Sequence, residues 1–138
     1  MTKKVVVYNL VGHRFLGVSE QGDKVMIDGD QPAAGPRPME LLLMALGACT
    51  AYDVVDIMAK KKQPLARYRV EVEGVRAETH PRRYTQITVT HIASGPGVTL
   101  EALERAVHLS HTKYCSVSAS LNAEITTRVV LEPWEEEA

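Results

Sequence analysis

A chain of 138 residues can bury one core but not two comfortable ones, so a single domain spanning 1–138 and a single site are expected. With 16 basic side chains against 17 acidic ones and a formal charge of -1, the chain has no field to draw nucleic acid or an anionic membrane, and both are set aside as partners. The opening MTKKVVVYNL has no secretory apolar core, and no uninterrupted apolar run reaches the roughly 18 residues of a membrane span, so the expected compartment is the cytoplasm.

Strand-like runs cover residues 4–10, 14–19 and 24–28, the last two joined by the turn residues Gln21-Gly22-Asp23. The following DGDQPAAGPRP, with two glycines and three prolines, is a loop. Pro38 suits a first helical turn and Glu40 the positive end of the helix dipole, which places a helix from Pro38 to about Lys62, ended by Pro64. Leu41, Ala45, Ala48, Tyr52, Val55 and Ala59 share one face of it. Leu42, Leu43, Met44 and Leu46 make its first half apolar all round. That half is expected to be buried on every side, within the chain or against a second copy, while the half carrying Asp53, Asp56 and Lys60 to Lys62 emerges into water.

Two alternating segments, 66–78 with Tyr68, Val70 and Val72 and 84–94 with Ile87, Val89 and His91, are expected to pair antiparallel. Ser94-Gly95-Pro96-Gly97 breaks the chain, and Thr99 caps a helix running toward Tyr114. A small polar stretch, 116–121, leads to a last strand, 123–131, and an acidic tail through Glu135, Glu136 and Glu137 that is expected to fray. The order βββαββαβ is that of an α+β fold with antiparallel sheets, a long central helix and a second helix.

In a reducing compartment a structural disulfide is the weakest reading of two cysteines; buried inert thiols, redox chemistry and metal binding stay open. Cys49 lies in the most apolar part of the long helix, where burial raises a thiol pKa, so a reactive Cys49 needs a cation or donors from elsewhere. Cys115 opens Cys-Ser-Val-Ser, which can begin another helical turn with free N–H groups aimed at the sulfur, an environment that favours a thiolate. The two are 66 positions apart (115 − 49), so only the fold can bring them together. His108, His111 and Cys115, at spacings of three and four, form a rival metal-binding set, against which two solvent-facing histidines on an amphipathic helix are the plainer reading. Arg82 and Arg83 fit a pairing with an anionic substrate or an acidic partner surface, and plain solvated strand-end charges explain them as well.

The run Gly35-Pro36-Arg37-Pro38-Met39-Glu40-Leu41-Leu42-Leu43-Met44-Ala45-Leu46-Gly47-Ala48-Cys49 resembles the segment that carries the first cysteine of OsmC/Ohr proteins onto their central helix. Tyr114-Cys115-Ser116-Val117-Ser118 is similar to their second-cysteine segment, usually Cys-Pro-x-Ser, and the likeness covers nearly the whole chain. The resemblance implies an OsmC-like, intertwined homodimer with two interfacial sites and no cofactor. It implies that Cys49 is oxidised to a sulfenic acid by a hydroperoxide substrate, that Cys115 resolves it as a disulfide, and that an external dithiol resets the pair. Organic hydroperoxides suit the apolar surroundings better than hydrogen peroxide. The arginine and glutamate that accompany the first cysteine in that family fall at Asp28-Gly29 and Met39 here, which leaves Glu40, Arg37 and Arg14 as candidates for their work. Glu40, nine helical positions before Cys49, would lie roughly 13 Å away along the axis and on the opposite face, so it would act across a dimer or through an arginine, or serve only the helix dipole. The alternative to an enzyme is a small-ligand or metal-binding protein of the same fold.

Overall fold

The computed structural model describes residues 1–136, in two compact units, Met1–Leu42 and Leu43 onward. The first is a three-stranded antiparallel meander of β1 (Val6–Val11), β2 (Arg14–Val18) and β3 (Lys24–Asp28), in that spatial order. Gly12, at a φ of 54°, turns β1 into β2, a left-handed conformation that costs a glycine little. Register places Arg14 opposite Asp28, and all six residues of β1 are exposed, its valines and Tyr8 included. After β3 the chain folds back so that the Asp28 N–H donates to the Pro36 carbonyl at 2.9 Å. Gly35 lies so close to the Met26 backbone that any Cβ would collide with the Met26 carbonyl. Gly35→Ala is therefore expected to cost about 1–3 kcal/mol, read as a lower urea midpoint, because backbone rather than a flexible side chain would have to yield.

The long helix α1 (Pro38–Lys60) starts where Pro38 and Glu40 placed it. The Arg37 N–H donates to Glu40 Oε1 at 3.0 Å, the return half of a capping box. Its end comes two residues before Lys62, which adopts a φ of 58° while its N–H donates to Ala59 and that of Gln63 to Met58, a Schellman stop with lysine where glycine is usual.

In the second unit β4 (Arg67–Arg76), β5 (Tyr84–Ser94) and β6 (Glu124–Leu131) form a sheet in that order. β4 and β5 pair antiparallel as expected; β6 pairs parallel to β5, which the helical crossover between them makes feasible. The crossover holds α2 (Leu100–Leu109), capped by the Thr99 hydroxyl accepting from the Ala102 N–H at 3.3 Å. It ends earlier than expected. Ser110–Tyr114 form a π-turn, closed by the Cys115 N–H donating to the Ser110 carbonyl at 2.7 Å, and a one-turn α3 (Ser116–Ala119) follows.

Val54 and Met58 of α1 pack with Ala93, Leu103, Ala106 and Val107 in the core. This corrects the expected burial of α1 in its second half. The buried stripe is Leu46, Gly47, Thr50, Val54 and Met58, running well into the half expected to meet water. The face holding Ala45, Ala48, Tyr52, Val55 and Ala59 is exposed, Tyr52 at 74% and Val55 at 49%. A helix apolar all round has no unique phase, so the pattern alone could not choose the face. By length and mean hydropathy, 1.7 over an 18-residue window, α1 is long and apolar enough to cross a membrane; here Leu46, Val54 and Met58 are wholly enclosed by protein. Of the acidic tail, Glu135 and Glu136 are exposed, and Glu137 lies outside the described residues.

Candidate functional site

Cys49, half-buried on α1, and Cys115, 4% exposed between the π-turn and α3, belong to the same unit, and both are free thiols. Cys49 lies close enough to Cys115 for its side chain to act on the ionisation of that thiol. Cys115 caps α3, its sulfur accepting the Ser118 N–H at 3.4 Å, so the extra turn anticipated after it does form. The thiolate expected there does not follow. Burial, seconded by Cys49, pushes the Cys115 thiol up to about 11, and the N–H groups of Ser118 and Val117 pull it down by less. Cys115 thus keeps its proton at neutral pH.

Beside the cysteines runs a chain of buried and half-buried polar groups. Tyr68 Oη meets His91 Nδ1 at 2.6 Å, and His91 Nε2 meets His111 Nε2 at 3.2 Å. His111 Nε2 also meets Thr50 Oγ1 at 2.9 Å, Thr50 Oγ1 meets Ser110 Oγ at 2.9 Å, and Ser110 Oγ donates to Asp53 Oδ2 at 2.8 Å. Thr50, His91 and Ser110 are wholly buried. Burial, with His111 adding to it, brings the His91 pKa down to about 4; burial also lowers that of His111, which Asp53 partly offsets, and raises that of Tyr68. Both rings are neutral at pH 7, as a buried pair in direct contact requires. From the sequence, His111 was singled out only for the metal set, Tyr68, His91 and Asp53 only as strand or helix positions, and Thr50 and Ser110 not at all. The available signal was His91 itself, an ionisable residue at an inward position of an alternating strand between Val89 and Ala93.

The remaining candidates lie in the N-terminal unit. Arg14 Nε donates to Asp28 Oδ2 at 2.7 Å, and its Nη2 donates to the Pro32 carbonyl at 3.0 Å. Asp28 also accepts the N–H groups of Ala34 and Asp30. These two, with Arg14 behind them, hold its carboxyl down at about 2. Arg14 thereby shapes the loop. Arg37 donates weakly to the Gly29 carbonyl at 3.4 Å and, with His13, Phe15, Ile27, Gly29 and Pro38, lines an open, mainly apolar cleft of about 380 Å³. Glu40 is exposed and engaged in capping. The rival metal set does not assemble: the π-turn breaks the helical spacing, His108 is exposed, and His111 is turned inward onto Thr50. Among the described residues no three His, Cys, Asp or Glu side chains converge to hold a metal ion.

A helix-borne Cys49 and a turn-borne Cys115 in this α+β topology are the arrangement expected of an OsmC-type protein. A family model described as OsmC-like protein matches residues 28–130, and the chain belongs to that family. It is 41% identical to Protein YhfA of Escherichia coli (strain K12) over 110 residues, 80% of this chain and 82% of that one. A hypothetical protein from Aquifex aeolicus VF5, known by crystal structure, superposes with a TM-score of 0.87 at 33% identity, over 99% of both chains. The organic hydroperoxide resistance protein OhrB of Bacillus subtilis shares the fold with a TM-score of 0.62 at 17% identity, over 96% of this chain and 98% of that one.

Proposed function

We propose that the protein reduces organic hydroperoxides by thiol chemistry at Cys49 and Cys115. Membership in the family supports a role in oxidative-stress defence, and the family includes hydroperoxide-metabolising enzymes. The observation that carries the finer reading is the adjacency of two free thiols, 66 positions apart in sequence (115 − 49), one of them held largely protonated at neutral pH by burial. In the proposed cycle the Cys49 thiolate attacks the distal peroxide oxygen, the O–O bond breaks, and the alkoxide leaves as an alcohol after taking a proton. The Cys49 sulfenic acid then condenses with the Cys115 thiol, forming the disulfide and releasing water, and an external dithiol returns both sulfurs to thiols. Glu40, Arg37 and Arg14 enter as groups that would steer or bind the substrate, Arg37 first because Arg14 is committed to Asp28.

The working form we propose is a cytoplasmic homodimer. Family members are typically dimers, and the exposed apolar face of α1 and the fully exposed β1 supply surface that a second copy would cover. The test is intact-mass analysis after one equivalent of cumene hydroperoxide: a loss of two hydrogens, with consumption of further peroxide once a dithiol is added, is expected. Unmodified thiols and unconsumed peroxide would leave the second reading, a ligand-binding protein. That reading is favoured by Arg14 being engaged in the loop and would show as a ligand-dependent rise in melting temperature without turnover.

A further inference from the structure

Thr50 follows Cys49 on α1, and Ser110 opens the π-turn that ends in Cys115. Their hydroxyls meet at 2.9 Å with both residues wholly buried, so no water competes for the bond. From one sulfur to the other the route is short: Cys49 to Thr50 through the backbone, Thr50 to Ser110 through the hydroxyls, and Ser110 to Cys115 through the 2.7 Å bond that closes the π-turn.

The proton order of this link is fixed by its far end. The Ser110 hydroxyl donates to Asp53 Oδ2 at 2.8 Å, a much shorter bond than the 3.4 Å to the Thr50 carbonyl. Ser110 Oγ then accepts from the Thr50 hydroxyl, while His111 Nε2 lies 2.9 Å from Thr50 Oγ1 on the other side. The bond between the two hydroxyls therefore has one direction, which makes it a stiff spacer rather than an interchangeable polar contact.

We propose that Thr50 and Ser110 are positioning residues that set the gap between the two sulfurs and so the stability of a Cys49–Cys115 disulfide. The inference rests on the redox reading above, and its test needs no peroxidase activity. The full-length protein is equilibrated with glutathione disulfide and glutathione, two protein thiols and one glutathione disulfide giving one protein disulfide and two glutathiones, and the oxidised fraction is read by quenched mass analysis. Thr50→Val keeps the shape and removes the hydroxyl; it is expected to lower the equilibrium constant for the disulfide about tenfold, about 30 mV in potential. Thr50→Ser, which restores the hydroxyl, is expected to return to within about threefold of wild type. Should Thr50→Val not fold, Ser110→Ala, which keeps the carbonyl that closes the π-turn, is expected to give the same fall. A Thr50→Val or Ser110→Ala protein with the wild-type constant, or a Thr50→Ser protein as impaired as Thr50→Val, overturns the positioning role while leaving the redox reading intact. A wild-type protein that forms no Cys49–Cys115 disulfide overturns both.

Discussion

Cys49→Ser is expected to bring dithiol-dependent consumption of cumene hydroperoxide down by at least about a thousandfold, to the rate of the dithiol alone, because the nucleophile of a covalent mechanism has no substitute. Cys115→Ser should behave differently. It is expected to complete the first oxidation, accumulate a Cys49 sulfenic acid trappable by dimedone, and proceed to sulfinic acid with excess peroxide. The asymmetry follows from the Cys115 thiol lying at about 11, which leaves it ionised in only about one molecule in ten thousand at pH 7. Such a thiol makes a poor first attacker on a peroxide. As a second attacker it needs little ionisation on average, because the sulfenic acid is held next to it and the reaction is intramolecular. A trapped sulfenic acid on Cys115 in Cys49→Ser, with none on Cys49 in Cys115→Ser, would reverse the assignment.

The second large effect concerns acid. His91 titrates at about 4 in the folded chain against about 6.5 unfolded, so between those values the unfolded state binds the proton more readily. Stability contributed by neutral His91 is therefore complete above pH 6.5 and is lost as pH falls toward 4, a loss on the order of 3 kcal/mol. The groups facing His91 are Tyr68 from β4 and His111 from the π-turn, with Asp53 of α1 at the far end of the chain. The lowered pKa of His111 acts in the same direction. Asp28 belongs to another window: its carboxyl, held at about 2, contributes stability that is present above 3.8 and lost only as pH falls toward 2. Urea midpoints by circular dichroism should thus fall between pH 6.5 and 4, and His91→Asn should start lower and flatten that slope. A wild-type midpoint constant from pH 7 to 4.5 would contradict a neutral buried pair.

Local chemistry was the part of this molecule most open to reading in its sequence. Pro38 and Glu40 start α1 as their residue types require, Thr99 caps α2, and the alternation of Val70, Val72, Ile87 and Val89 marks two paired strands. What could not be read was whatever depends on choosing among equal local options. The buried face of α1 is one case, since Leu41 to Leu46 offers apolar surface in every direction. The π-turn is another: Ser110-His111-Thr112-Lys113-Tyr114 carries no residue that forbids an ordinary helical turn, and the shift to a five-residue hydrogen bond shows only in three dimensions. The two cysteines were identifiable as a pair, but the ionisation of Cys115 was decided by burial, which outweighs the N–H donors legible in Cys-Ser-Val-Ser. Thr50 and Ser110 are 60 positions apart, and nothing local in either marks it as a partner of the other.

The π-turn has a consequence for how length variation is tolerated here. A five-residue loop of hydrogen bonding contains one residue more than the α-turn it replaces. Removing a single residue from 112–114 would turn the i−5 bond between Cys115 and Ser110 into an i−4 one and let the segment relax into a regular helical turn, with the thiol at its end close to where it now lies. The surplus residue is thus absorbed inside the turn, a place where the chain can change length while the sulfur and the strand downstream hold their positions.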